Sequence, residues 1–105
     1  MRRAHYLVQL LLPLRDNHGV AHDPALFKEV ASSLTERFGG ITAYTRSPAE
    51  GLWQSDGDTH HDDVVAVEVM VDDLDERWWG AFRRHLEIVF RQRQLLVLAQ
   101  EVRRL

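Results

Sequence analysis

Glu68 is the residue whose type and position most plainly ask for chemistry. It stands inside Val64-Val65-Ala66-Val67-Glu68-Val69-Met70-Val71, a run with no other polar residue. A carboxylate in the middle of such a strand must find a partner or stay neutral with a raised pKa. Arg46 is the nearest candidate partner. A hairpin folded about Gly57 sets Arg46 opposite Glu68 and Tyr44 opposite Met70, unless a bulge at Pro48 changes the register. Gln9 and His5 on the first strand point into the same space, and Gln100 joins them from the last. In one reading this is a polar pocket, with Glu68 as a candidate catalytic acid or base and Arg46, Tyr44, Gln9 and His5 as ligand-binding groups. In the other, Arg46 and Glu68 form a structural pair that fixes strand register or dimer geometry.

Other residues offer weaker chemistry. His60-His61-Asp62-Asp63 has the composition of a metal site, with His18 and His22 as further donors from another loop. Adjacent strand residues point to opposite faces, so this pair does not chelate one ion, and no H-E-x-x-H spacing supports it. A solvated turn is expected, with no metal and no cofactor. Trp53 follows Gly51-Leu52 and is expected at the rim of a pocket or as a contact anchor. Trp78 and Trp79 are adjacent on a helix, about 100° apart, so one enters the core while the other lies at its edge. Arginines 83, 84, 91, 93, 103 and 104 tint the last third basic. The central strand nevertheless lacks the aromatic residues by which such sheets stack RNA bases, and no nucleic-acid partner is expected. No Gly-rich phosphate loop, nucleophile elbow or Walker pattern is present.

The elements that would position these residues are well marked. The chain has 105 residues, 45% of them hydrophobic and 28% charged, with a net charge of -3 and no cysteine. Those values suit one globular domain over residues 1–105 and exclude a disulfide scaffold, a thiol enzyme and a cysteine-ligated metal. Met1-Arg2-Arg3 before an apolar run resembles a signal peptide. However, no small-residue cleavage pattern follows, so the run reads as a first strand in a cytoplasmic protein that does not enter a membrane. That strand spans His5 to Leu14, with Pro13 marking its end. Asp23 caps a helix with Pro24 at its first position; Leu26, Val30, Leu34 and Phe38 make its stripe, and Gly39-Gly40 ends it. Ile41 to Ser47 is a second strand and Val64 to Val71 a third. Asp72 or Asp73 caps a second helix, with Asp73 and Glu76 spaced as a capping box. Its stripe is Trp78, Phe82, Leu86 and Val89. Leu95 to Val102 is the last strand.

The order β-α-β-β-α-β predicts an α+β, ferredoxin-like domain: a four-stranded antiparallel sheet with two helices on one face. The face that the helices leave open is expected to be mostly aliphatic as well, carrying Leu7, Leu11, Val64, Ala66, Met70, Leu96 and Leu98. Soluble monomers rarely expose such a patch. A second copy packed face to face about a two-fold axis is the simplest cover; a loop from Pro48 to His61 folded over the sheet is the alternative.

Phe38-Gly39-Gly40-Ile41-Thr42, then Gly51-Leu52-Trp53, then the valine-rich strand ending in Asp72-Asp73 resemble a group of small uncharacterised bacterial proteins. Those proteins share an FGG-x-T…G-x-W pattern, and the likeness runs from about residue 5 to residue 102. In layout the chain is also similar to the dimeric α+β barrel proteins, such as the antibiotic-biosynthesis monooxygenases, muconolactone isomerase and the EthD-like proteins. That resemblance implies a homodimer with a pocket between sheet and helices. It transfers no catalytic residue, because none of their motifs is matched. The expectation is a homodimeric α+β barrel that binds a small organic molecule, as a cofactor-independent enzyme or a binding protein, with Glu68, Arg46, His5, Gln9 and Tyr44 near the pocket and Trp53 at its rim. The alternative is an interaction or regulatory module whose sheet face serves only dimerisation.

Overall fold

Strands β1 (His5–Pro13) and β5 (Asp63–Val71) form the centre of the molecule. Their aliphatic alternation is what a sheet buried on one face requires. The computed structural model describes residues 5–48, 54–55, 58–59 and 63–105. The central pair runs antiparallel, with Leu10 opposite Val67 and Gln9 opposite Glu68. β2 (Ala43–Pro48) pairs with the outer side of β5, and β6 (Leu96–Val102) with the outer side of β1. The sheet order is therefore β2-β5-β1-β6, all antiparallel. β3 (Gln54–Ser55) and β4 (Asp58–Thr59) make a separate two-stranded ribbon. With α1 (Pro24–Phe38) and α2 (Glu76–Val89), the main elements follow the ferredoxin-like order. No helix among the described residues is long and apolar enough to cross a membrane.

Both helices cover the same sheet face. Val8, Leu10 and Leu12 of β1 and Val65, Val67, Val69 and Val71 of β5 point into one cluster. They meet Phe27, Val30 and Leu34 of α1 and Trp79 and Leu86 of α2. α1 begins where the sequence says: the Asp23 carboxylate accepts from the Ala25 amide at 3.0 Å. It ends at Gly39, whose φ of 81° favours glycine and whose N–H donates to Thr35. Beyond Leu34, aromatic rings close this end of the layer. Phe38 stacks on Trp79 and Trp78 on Phe82, with the Arg37 guanidinium 4.1 Å over the Trp78 ring. Trp79 is buried and Trp78 lies at the core's edge, as two adjacent helical positions must divide.

Two local expectations are corrected. The cap of α2 is Asp75, whose carboxylate accepts from the Trp78 amide at 3.0 Å, rather than Asp72 or Asp73. Leu74 explains the delay. It packs against the core beside Trp79, and the pair occupies the staple positions just before the cap and one turn inside the helix. The hairpin register also differs. Ala43, not Arg46, stands opposite Glu68, while Arg46 faces Val65 and Tyr44 faces Val67. The displacement is three residues, an odd number, so Tyr44 and Arg46 turn to the helix-covered side.

The other sheet face carries His5, Leu7, Gln9 and Leu11, then Val64, Ala66, Glu68 and Met70, then Leu96, Leu98 and Gln100. Val64 and Ala66 are buried, whereas Met70 and Leu98 are 38% and 48% exposed. Replacing Asp75 by Ala removes the acceptor that starts α2. It is expected to lower stability by about 1 kcal/mol in equilibrium guanidinium unfolding.

Candidate functional site

The loop between β1 and α1 is built around one carboxylate. Asp16 is buried, and its side chain accepts from the His18 and Val20 amides at 2.8 and 2.9 Å. Its own backbone closes a turn, donating to Val20 and accepting from Gly19. Gly19 has a φ of 82°, which its neighbours would adopt only with strain. Hydrogen bonding from the Val20 amide is the main influence holding the Asp16 carboxyl below the ordinary aspartate range; partial burial opposes it, and His18 and His22 assist. A bridge between Arg15 and Ala21 and the bond from the His22 amide to Leu14 tie the loop ends. The Gln92 side chain donates to the Arg15 carbonyl at 2.7 Å, anchoring the loop to the segment after α2.

This loop delivers His22 to the residue before the N-cap of α1. The position normally takes an apolar side chain that staples onto the next turn. The imidazole does this, meeting the Phe27 ring edge-on at 6.2 Å and the Phe90 ring at 5.1 Å. Its Nε2 is buried and has no hydrogen-bond partner. Such an atom costs free energy unless something else satisfies it.

His22 opens onto a cavity of about 540 Å³ between the start of α1, the loop and the β2–β5 side of the sheet. That volume suits a small organic ligand. Leu14, Phe27 and Val65 supply apolar wall. Among the described residues, the polar lining is Arg15, His22, Lys28, Tyr44 and Arg46. Arg15 is steadied by donating to the Gly19 carbonyl at 3.0 Å. Three cations, a phenol and an imidazole around an apolar slot can bind and orient an anion, stabilise negative charge as it develops, and exchange a proton through the imidazole. A second groove, about 340 Å³ between α2 and β6, is lined by Leu74, Trp79 and Val97 and brings fewer polar groups together.

The structure separates the residues that the sequence grouped. Tyr44 and Arg46 line the cavity. Glu68 and Gln9 stand opposite one another on the far side of the sheet. The Glu68 side chain is half-buried and makes no hydrogen bond or ion pair among the described residues. His5 is held 2.7 Å from Asp72, where it clamps the start of β1 to the end of β5. Trp53, His60 and His61 lie outside the described residues. No group of three or more His, Asp or Glu set to hold a metal occurs among the described residues. Arg15, His22 and Lys28 were missed as pocket residues. The available signal was His22 itself, a polar residue in the staple slot before Asp23-Pro24.

Removing the carboxylate with Asp16→Ala should leave the His18 and Val20 amides unprotected in hydrogen exchange. Because the folded-state pKa of Asp16 is depressed, its contribution is present above the unfolded value and is lost as pH falls through the folded one. The Tm gap between wild type and Asp16→Ala should therefore narrow as pH falls from about 5 to about 2. A gap that is independent of pH would show that the carboxylate charge is unimportant. Comparison of the chain with protein-family models, curated proteins and solved structures gave no match.

Proposed function

We propose that this chain binds a small organic molecule in the cavity between α1 and the β2–β5 side of the sheet, and that it does so as a homodimer. One observation carries the binding reading: five polar side chains from the loop, the helix and the edge strand converge on one apolar cavity. They come from three consecutive elements, the β1–α1 loop, α1 and β2. The cavity lies between sheet and helix, where the resemblance to dimeric α+β barrels puts a pocket. The role first considered for Glu68 as acid or base does not fit this cavity, because the sheet lies between them.

Binding is tested by ¹H–¹⁵N spectra recorded with mixtures of small aromatic acids, amides and amines. Shift changes should gather at Ala21, His22, Lys28 and Tyr44. Changes confined to the Leu7–Leu98 face, or none at millimolar concentrations, would remove the reading.

The dimer reading rests on the other face. Met70 and Leu98 are 38% and 48% exposed there, whereas Val64 and Ala66 are already buried, so a second copy would cover the part of the face around Met70 and Leu98. Gln9 and Glu68 sit together at its centre, ringed by Leu7, Leu11, Met70 and Leu98. About a two-fold axis, the Gln9 amide of one copy donates to the Glu68 carboxylate of the other. Light scattering should give a particle of twice 12.2 kDa for the wild type. Leu98→Glu should fall to the single-chain mass with its circular dichroism unchanged. A wild type that stays at the single-chain mass at all concentrations would refute the dimer.

A further inference from the structure

We infer that the solvent face of α2 docks an acidic helical segment of another protein. This face carries Arg77, Ala81, Arg84, Ile88 and Arg91, all exposed, at spacings of four, three, four and three residues. That spacing lays side chains along one stripe of a helix, and it is the spacing by which one helix packs along another. Arginine recurs at every seventh residue of the stripe, and Ala81 and Ile88 stand between the arginines. Ile88 is 78% exposed. Beside Arg84, Ile88 and Arg91 the surface is concave, a groove of about 480 Å³ to which Asn17 and Arg93 also contribute. The two acids of α2 are occupied elsewhere. Glu87 accepts from the Arg83 guanidinium at 3.2 Å and from the Leu95 amide at 3.0 Å. Glu76 lines the other groove, with Leu74 and Trp79. The side chains of Arg77, Arg84 and Arg91 make no hydrogen bond or ion pair among the described residues.

Both ends of the stripe hold arginine against a local preference. Arg77 lies in the first turn of α2, where the positive end of the helix dipole repels a cation. Arg91, just past the helix, has a φ of 51°. Its N–H donates to the Ile88 carbonyl and the Gln92 N–H to the Glu87 carbonyl, the two bonds of a helix stop whose left-handed residue is usually glycine. The dipole suits the charge of Arg91 but not its conformation, and it opposes Arg77 outright. A shared place on the seven-residue stripe accounts for both. A second copy docked stripe to stripe would set arginine against arginine. Nucleic acid would engage the cations and leave Ala81 and Ile88 without partners, and one isoleucine is too little apolar surface for a membrane. A helix with carboxylates flanking aliphatic residues matches both parts: the carboxylates pair with the guanidinium groups, and the aliphatic side chains cover Ala81 and Ile88. Trp79 and Leu86 turn the other side of α2 to the core, so the stripe stays open in the proposed dimer.

The experiment measures binding of the full chain to a fluorescent helical peptide of about 20 residues, glutamates flanking an alanine–leucine seam, by anisotropy and amide shifts. The comparison probes are the same peptide with glutamine for every glutamate, single-stranded DNA of similar length and phosphatidylglycerol vesicles. The acidic peptide should bind at least about tenfold tighter than the glutamine peptide, and its affinity should fall about tenfold between roughly 50 and 500 mM salt. Shifts should gather at Arg77, Ala81, Arg84, Ile88 and Arg91 and spare Ala21 and His22. Arg84→Gln should weaken the acidic peptide several-fold, and Ile88→Ser should weaken both peptides. Arg91→Gly removes the guanidinium and relaxes the backbone. It should weaken the acidic peptide about threefold while Tm rises by a few degrees. Wild-type affinity or a lower Tm in Arg91→Gly would overturn the docking role of Arg91. Equal binding of the glutamine peptide would overturn the acidic partner. DNA or vesicles shifting these amides in place of the acidic peptide would overturn a protein partner. Failure of the acidic peptide to bind at millimolar concentration would overturn the docking face.

Discussion

The pairing of β2 with β5 decides what kind of site this molecule has. β2 is an edge strand held by β5 alone, and its side chains alternate between the two sheet faces. With Ala43 opposite Glu68, Tyr44 and Arg46 fall on the same side as Val65 and Val67, beneath α1. A slip of one residue would move both to the far side and strip the cavity of its sheet-borne polar wall. The register is held from the entry side. Gly39 ends α1 in the left-handed conformation, and the Thr42 amide then donates to the Glu68 carbonyl at 2.7 Å, fixing where β2 begins. The helix C-cap in this sense shapes the cavity, although it is not among the described residues that line it.

Given that register, the two faces of the sheet take different tasks. One is filled by helices over most of its length and sealed by the Phe38–Trp78–Trp79–Phe82 rings near the end of α1. α1 has 15 residues, so its first turn lies about 20 Å from those rings. The rings leave the opposite end of the layer to the β1–α1 loop, and that is where the cavity forms. The other face is aliphatic with a polar pair, Gln9 and Glu68, at its middle. In the proposed dimer, a pair so placed would disfavour sliding between the two sheets, because a shifted arrangement would bury a carboxylate against leucine. The polar residues that looked like one site thus divide between the cavity on one face and the Gln9–Glu68 pair on the other.

The elements themselves were legible in the sequence because each rests on a local signal. Asp23-Pro24 and Gly39 bound α1, and the valine run marks β5. Period-two reading also gave the correct face for residues 5–12 of β1 and 64–71 of β5. The pairing of β2 was not legible. It depends on where the chain leaves α1 and on the length of the connection between β2 and β5, and neither follows from the midpoint of a hairpin. The α2 cap was misplaced for a related reason: Asp72, Asp73 and Asp75 are chemically equivalent acceptors, and the burial of Leu74 chooses among them. The site residues on the loop were hidden because Arg15, His22 and Lys28 become neighbours only when the Asp16 turn folds the loop back against α1.

His22 shows a polar side chain in a position that folding fills best with an apolar one. The slot before an N-cap is filled best by an aliphatic or aromatic side chain, which staples the helix start and leaves no polar atom behind. The imidazole supplies the staple through its contacts with Phe27 and Phe90, but it also buries Nε2 without a partner. An unsatisfied buried nitrogen costs on the order of 1–3 kcal/mol, comparable to what a good cap contributes. Stability alone would therefore place phenylalanine or leucine there. The surrounding loop is tied throughout: Asp16, Gly19, the Arg15–Ala21 bridge and Gln92 hold its backbone. That backbone and the Phe27 and Phe90 rings hold the imidazole in place, so the cost at Nε2 is offset by the contacts around it.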